Sequence, residues 1–124
     1  MTPQAGSSAP QGKVSPAVVD SVFRALADAT RRDVLTRLSV RPASVSDLAA
    51  TYDMALPSFM EHLKVLEGSG LVRSHKEGRV RTYEFVPRQL RLAEDWLTRQ
   101  RMLWEQRLDQ LDNYLMQMKQ ETEK

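Results

Sequence analysis

Hydrophobic residues recur at intervals of three and four positions through the first half of the chain, a spacing that predicts short amphipathic helices. Four helices are expected, and they begin near Ser15, Asp28, Ser46 and Pro57. Ser15 and Asp28 are residue types that cap helix N-termini, and Pro42 ends the second helix because the residue before a proline avoids helical geometry. Residues 68–70, Gly-Ser-Gly, end the fourth helix near Glu67, since glycine accepts a left-handed cap.

The pattern changes after residue 70. Residues 71–75 and 79–85 are rich in β-branched and aromatic residues and flank Lys76-Glu77-Gly78, which predicts a β-hairpin. From about Gln89 the chain contains no glycine or proline, and one long helix is expected over about 89–120. The expected fold class is therefore mainly α with a small β-hairpin, in the order α-α-α-α-β-β-α.

This order describes a winged helix-turn-helix, in which two short helices joined by a tight turn are followed by a hairpin called the wing. Residues 15–124 are expected to form this domain, with the wing over 71–86. The second helix of the pair, residues 57–67, is the candidate for the major groove of DNA. Residues 1–14 are rich in Pro, Gly, Ser and Gln and are expected to form a disordered tail.

Positive charge is concentrated in one segment. The whole chain of 124 residues has a formal net charge of +2. Residues 71–91 contain six Lys/Arg and two Asp/Glu, a net of +4, whereas residues 1–70 contain seven of each. A local basic stripe is typical of a surface that meets phosphates. The alternative is a charged hairpin that is simply solvated.

The expected last helix is apolar on two sides. Spacings of seven and four residues form a coiled-coil seam of Leu97, Trp104, Leu108, Leu111 and Leu115. Trp96 and Leu103 form a second apolar side. A helix with two apolar sides needs two partners, its own domain and a further one, and the same helix of a second subunit is the expected second partner. The alternative is a packing face within a single chain.

Several ordered motifs resemble the ArsR, or arsenic-repressor, family of winged-helix regulators. Residues 23–32, Phe-Arg-Ala-Leu-Ala-Asp-Ala-Thr-Arg-Arg, are similar to the opening signature of that family. The resemblance extends to the helix-turn-helix and the wing of the family, which are similar to residues 46–49, 62–67, 70–72, 77–79 and 83. The resemblance runs from about residue 16 to residue 116. It implies a homodimer that binds palindromic double-stranded operator DNA and represses transcription.

The resemblance assigns DNA contacts to the fourth helix. Its exposed side is expected to read or position on the major groove through Ser58, Met60, Glu61, His62 and Lys64. Ser58 could bind a phosphate, and Glu61 could accept a hydrogen bond from a cytosine amino group. Met60 could contact a thymine methyl group or simply pack. His62 could donate to DNA or be a partly packed histidine.

Cations on the wing are the expected contacts to phosphates or to the minor groove: Arg73, Lys76, Arg79 and Arg81. Arg31 and Arg32, at the start of the second helix, could also contact the DNA backbone. Arg32 could instead pair with an acid such as Asp33. Two-fold pairing of subunits would set two fourth helices about one DNA turn apart.

Metal sensing is not expected. The resemblance places the cysteines of the family's metal sensors at Ser44 and Ser46, and a serine hydroxyl is a poor ligand for soft metals. The family's other metal site uses His and Asp on the last helix, where this chain has no histidine. Residues 54–57 and 104–111 resemble a subgroup without the arsenic site. No metal and no cofactor are therefore expected, and no residue identifies a small-molecule effector.

Composition argues against other classes of function. The chain has no cysteine, so disulfides and thiolate metal sites are excluded. Neither a secretory signal nor an apolar run long enough to span a bilayer is expected from the sequence, so the default expectation is a cytoplasmic location without a membrane partner. The sequence contains no phosphate loop, nucleophile elbow or metal-protease motif, so no motif in it indicates an enzyme. The remaining rival is a winged-helix module that binds a protein instead of DNA.

Overall fold

The computed structural model describes residues 16–123, so the predictions for Ser15 and for residues 1–14 lie outside the described residues. The helices are α1 (Pro16–Leu26), α2 (Ala29–Val40), α3 (Val45–Ala49), α4 (Leu56–Gly68) and α5 (Pro87–Glu123). The strands are β1 (Ala43–Ser44), β2 (Val72–Glu77) and β3 (Val80–Phe85). This mainly helical order confirms the expected winged-helix fold class, with β1 added and α5 longer at both ends than expected.

The three strands form one antiparallel sheet in the order β1-β3-β2. The hairpin register runs from Val72 opposite Phe85 to Glu77 opposite Val80, so Lys76 and Glu77 belong to β2 and not to the turn. Gly78, with a φ of 61°, begins the turn. The strand β1 pairs Ala43 with Tyr83. Its two residues are too few to show alternation, which is why the hydrophobic pattern did not predict it.

Local capping sets the ends of α2 and α4. The Asp28 side chain accepts a hydrogen bond from the Arg31 backbone N–H at 3.1 Å, which confirms the predicted cap of α2. At the end of α4, the N–H of Leu71 donates to the carbonyl of Leu66 at 3.2 Å, and the N–H of Gly70 donates to that of Glu67 at 3.0 Å. This pair of bonds is a Schellman motif, and Gly70 supplies its left-handed residue with a φ of 79°.

The hydrophobic core lies within residues 16–93 and fixes which side of α4 faces inward. The largest fully buried side chains are those of Phe59, Leu48, Leu63, Leu66, Leu71, Val22, Val34 and Val72. Three of them belong to α4, as expected from their spacing. Their burial leaves the opposite side of α4 at the surface.

Residues 94–123 form a second region, which is helical throughout and has no buried residue. Within the described chain, no helix is long and apolar enough to cross a membrane.

Candidate nucleic-acid interface

The exposed side of α4 carries polar residues at helical spacing. Ser58, Glu61 and Lys64 are exposed, and each lies three residues from the next, so they share one side of the helix. None of the three has a hydrogen bond or ion pair with another described residue through its side chain. A polar surface without internal partners can form hydrogen bonds with a ligand without breaking existing ones.

Met60 and His62 lie differently from those three. The Met60 side chain is half-buried and packs against the hydrophobic core. His62 is also half-buried, and its Nδ1 lies 3.1 Å from Nη1 of Arg31 and 3.8 Å from Oδ1 of Asp28. The packing alternative for Met60 therefore has a structural basis, and His62 is contacted on one side by the cap and the first turn of α2.

The turn that joins α3 to α4 is anchored to α2 by residues that the sequence did not single out. The Tyr52 hydroxyl donates to Oδ2 of Asp33 at 2.5 Å, and its ring stacks on Phe59 with centroids 5.2 Å apart. The Arg37 guanidinium lies 5.5 Å from the Tyr52 ring centroid and donates to the Leu48 carbonyl at 3.2 Å. Burial, with the hydrogen bond to Asp33, raises the pKa of Tyr52. These contacts fix the angle at which α4 leaves the turn.

The wing carries its charge toward its tip. On β2 and β3, the side of the hairpin that contains buried Val72 and Tyr83 continues outward to Lys76 and Arg81, which face each other in the register. Like charges directly opposite each other on a sheet are destabilising. Arg79 stands in the turn, exposed. Neither Lys76 nor Arg79 has an ion-pair or hydrogen-bond partner for its side chain among the described residues.

The other two wing arginines have internal partners. Nε of Arg73 donates to Oε1 of Glu84 across the strands at 2.5 Å. Nη1 of Arg81 donates to the Ser74 hydroxyl at 2.9 Å, and that hydroxyl donates to Oε2 of Glu67 on α4 at 2.9 Å. The wing is thus joined to the end of α4 by a chain of polar contacts. The charge of Arg73 is partly neutralised, so Lys76 and Arg79 are the cations most available to a phosphate.

Arg31 and Arg32 both serve the end of α1. Arg31 donates from Nε to the Ala25 carbonyl at 2.8 Å and from Nη2 to the Arg24 carbonyl at 2.9 Å. Arg32 donates from Nη1 to the Leu26 carbonyl at 2.8 Å. The alternative in which Arg32 pairs with an acid such as Asp33 is not what the structure has, because the guanidinium instead binds a carbonyl at the end of α1 that lacks an intrahelical donor.

In residues 94–123 the coiled-coil seam lies at the surface. The five expected seam residues are between 51% and 61% exposed: Leu97, Trp104, Leu108, Leu111 and Leu115. The second apolar side is exposed too, at 39% for Trp96 and 45% for Leu103. Leu90 and Ala93, in the first turns of α5, belong to the first region and join its hydrophobic core.

Ser44, which the resemblance places at a metal-ligand position of the family, has a structural role. The Ser44 hydroxyl accepts a hydrogen bond from the Asp47 N–H at 3.1 Å and so caps α3. Among residues 16–123, no group of three or more His, Cys, Asp or Glu side chains could hold a metal ion.

Comparison with known proteins supplies a context for this geometry. A family described as a helix-turn-helix domain matches residues 26–75. The HTH-type transcriptional regulator Rv2034 of Mycobacterium tuberculosis is 38% identical over 68 residues, which are 55% of this chain and 64% of that protein. This chain therefore spans just under two thirds of that relative. The transcriptional repressor SdpR of Bacillus subtilis is 27% identical over 79 residues, 64% of this chain and 88% of the repressor.

Solved structures resemble the chain more fully. A crystal structure of an ArsR family transcriptional regulator has a TM-score of 0.72 and 52% identity, and the match covers 74% of this chain and 95% of that one. A solution structure of a homodimeric winged helix-turn-helix DNA-binding domain from Mycobacterium bovis has a TM-score of 0.55 and 25% identity. That match covers 70% of this chain and 82% of that one.

Proposed function

Because this chain belongs to the ArsR family of transcriptional regulators, we propose that it binds double-stranded operator DNA as a homodimer and represses transcription. The α4 helix enters the major groove, and the wing holds the sugar-phosphate backbone. The observation that carries this proposal is the pair of Lys76 and Arg81 facing each other at the wing tip, beside Arg79. The repulsion between these facing cations is relieved when a polyanion binds, and DNA is a polyanion.

The α4 residues are assigned different roles in DNA binding according to their exposure and packing. Ser58, Glu61 and Lys64 are exposed and without internal partners, so they are assigned the direct contacts to bases and phosphates. Met60 supports the helix from the core side and touches DNA only at its exposed edge. A carboxylate at Glu61 repels phosphates and accepts from cytosine, which favours particular base pairs.

The homodimer is assigned to the exposed seam of α5. Large apolar side chains in a regular stripe, more than half exposed in the isolated chain, are typical of a surface that a partner covers. A second copy offers the matching stripe, since an isologous interface uses the same patch twice. Two-fold symmetry of the protein predicts a palindromic operator.

Repression follows from occupancy. A dimer seated on promoter DNA excludes the polymerase from the same stretch, and a relative at 27% identity is named a transcriptional repressor. A reporter fused to the promoter that the protein binds is expected to rise on deletion of the gene for the protein. A reporter that falls instead would indicate activation.

Salt dependence of binding tests the DNA contact. The probe is a labelled duplex from the region upstream of the gene, titrated by fluorescence anisotropy at several salt concentrations. We compare Lys76→Ala/Arg79→Ala with Arg88→Ala/Arg91→Ala, since both pairs remove two exposed cations of the basic segment but only the first lies on the wing. Two wing cations in each of two subunits would meet about four phosphates, and each contact contributes roughly 0.9 to the slope of log K against log salt. The first pair of substitutions is therefore expected to reduce the magnitude of this negative slope by about 4.

The control pair is expected to change the slope by less than about 1, because bulk charge without contact releases few counterions. Equal effects of the two pairs would contradict the wing assignment. Failure of the unaltered protein to retard any genomic duplex would contradict DNA binding and favour a protein partner.

A further inference from the structure

Arg31 joins three helices through one guanidinium. Two of its nitrogens bind the last carbonyls of α1, and the third, Nη1, lies 3.1 Å from Nδ1 of His62 on α4. Its own backbone N–H is held by Oδ1 of Asp28, the cap of α2. These contacts connect residues 31 positions apart in the chain and reach the helix assigned to the major groove.

The chemistry of the guanidinium indicates which ring nitrogen of His62 carries the proton in the neutral form. An arginine has only donors and keeps its charge in proteins, so the nitrogen that faces it must present a lone pair. Nδ1 of His62 is therefore the acceptor, and the neutral ring carries its proton on Nε2. The ring nitrogen left for an external partner is a donor and cannot accept.

Of the charged groups near the ring, the Arg31 guanidinium lies closest to Nδ1, whereas the Asp28 carboxylate, which would favour a proton there, lies farther away. Arg31 on α2 and Asp28, the cap of α2, approach Nδ1 to 3.1 Å and 3.8 Å, and Glu61 and Lys64 are the charged residues that lie nearest to His62 in the sequence of α4. A fifth of the His62 side chain stays exposed. Asp28 is kept ionised by the Arg31 N–H, which lowers the pKa of the carboxyl group.

We propose that Arg31 is a positioning residue for DNA recognition, which fixes His62 as an Nε2–H donor to a hydrogen-bond acceptor on the DNA. This inference rests on the proposed function. The acceptor chemistry is shared by a purine N7 in the major groove and by a phosphate oxygen. A donor locked in one tautomer loses less freedom on binding than a free imidazole, because its orientation is set beforehand.

Two amide substitutions separate the two nitrogens of His62. Asn places an amide near Nδ1 and can still accept from Arg31, but it has no group at Nε2. Gln places its amide near Nε2 and can still donate there, but it leaves Arg31 without an acceptor. With the labelled upstream duplex, we expect His62→Asn to weaken binding about tenfold, as expected for one lost base or phosphate contact, and His62→Gln to weaken it less.

A double-mutant cycle isolates the role of Arg31. Arg31→Gln and Arg32→Gln each remove one charge and one guanidinium from the end of α1, but only Arg31 contacts His62. We expect Arg31→Gln to weaken DNA binding about tenfold in the natural background and only about twofold beside His62→Ala. Arg32→Gln is expected to have the same effect in both backgrounds. Thermal unfolding of each variant reports how much of any change is loss of fold.

Nitrogen-15 NMR of the histidine rings tests the tautomer without DNA. His75, exposed on the wing, is the internal reference. We expect Nδ1 of His62 to be unprotonated in the neutral ring, and we expect this signature to be lost in Arg31→Gln. A protonated Nδ1 in the natural protein, or additive effects of Arg31→Gln and His62→Ala on affinity, would overturn the inference while leaving DNA binding intact.

Duplexes that contain 7-deazapurines distinguish the two acceptors. If His62 binds a purine N7, the difference between the natural protein and His62→Asn disappears on the modified site. If it binds a phosphate, the difference persists on modified and unrelated duplexes. A natural protein that binds no duplex would instead defeat the proposed function itself.

Discussion

Residues 16–93 and residues 94–123 use similar apolar side chains in opposite ways. In the first region, leucines such as Leu48, Leu63 and Leu66 are fully buried, and together with Phe59 they hold α4 in place. In the second region, Leu108 and Leu111 are more than half exposed, and no residue is buried. Since both regions contain helices with regular apolar spacing, the difference lies in the partner. The first region contains its own partners, and in the proposed function a second copy of the chain supplies the partner of the second region.

The largest effect should follow from a matched pair of leucines. Leu63→Ala removes a fully buried side chain of α4 and is expected to lower the free energy of unfolding by about 2–5 kcal/mol at every protein concentration. Leu111→Ala removes a side chain that is 51% exposed in the single chain, so it should alter only the part of the stability that depends on concentration. Thermal unfolding by circular dichroism over a hundredfold range of concentration measures both.

A similar loss from both leucines at all concentrations would erase the distinction between the two regions. It would mean that the second region is covered within one chain.

The next effect concerns the dimer. Trp104→Ala is expected to weaken dimerisation by about 2 kcal/mol or more, roughly thirtyfold in the dissociation constant, because aromatic anchors dominate interfaces. Met102→Ala is the matched control. Met102 is 54% exposed but lies two residues away, nearly on the opposite side of the helix. Sedimentation equilibrium at low protein concentration gives the dimer dissociation constants of both variants. Equal constants would contradict the assignment of the seam.

A smaller effect should separate two glycines of the α4 terminus. At Gly70, with a φ of 79°, a Cβ would stand 2.7 Å from Cγ of Gln89, so Gly70→Ala is expected to destabilise the first region. Left-handed geometry with a Cβ costs about 1–2 kcal/mol. At Gly68 a Cβ meets nothing within 4 Å, so Gly68→Ala should stabilise the helix by about 0.5–1 kcal/mol.

Chemical denaturation measures the two changes. Neither Gly70→Ala nor Gly68→Ala should change the dissociation constant of the dimer. A stabilising Gly70→Ala would contradict the Schellman geometry on which the end of α4 depends.

The smallest effect concerns the cap of α2 and its pH dependence. Asp28→Ala is expected to cost about 1 kcal/mol at neutral pH, and Asp28→Asn less, because Asn also caps. The hydrogen bond from the Arg31 N–H lowers the pKa of Asp28 from its ordinary 3.8. The charge of Asp28 therefore stabilises the fold at pH values above the pKa that this residue has in the unfolded chain. This contribution is lost as the pH falls through the lower pKa of the folded state.

In Asp28→Asn that acid-dependent part should be absent from the stability curve. If the free energy of unfolding fell equally with pH in the natural protein and in Asp28→Asn below about pH 4, the charge of the carboxylate would add nothing to the cap.

Sequence patterns predicted what depends on short-range spacing. The inward residues Phe59, Leu63 and Leu66 and the Asp28 cap follow from helical periodicity and local hydrogen bonding, and the structure confirms them. Contacts between distant residues left no periodic signal. The anchoring of Tyr52 by Asp33, 19 positions earlier, depends on tertiary packing that no local pattern reports.

The candidate site was predicted unevenly for the same reason. Exposure of Ser58, Glu61 and Lys64 follows from the helical repeat, whereas the contact of His62 with Arg31 does not. The hairpin turn was expected one position or two too early, because the residue types alone do not fix the register. The pairing of Val72 with Phe85 sets it, and this moves Lys76 into a strand, opposite Arg81.

The stoichiometry of the protein on DNA tests the central claim most directly. Native mass spectrometry of the purified chain with a duplex that it retains from genomic DNA counts chains per duplex. We expect two chains on each palindromic site, and loss of that complex when Trp104→Ala is measured at the same concentration. A single chain per duplex, or a paired protein that binds no duplex, would contradict the proposal.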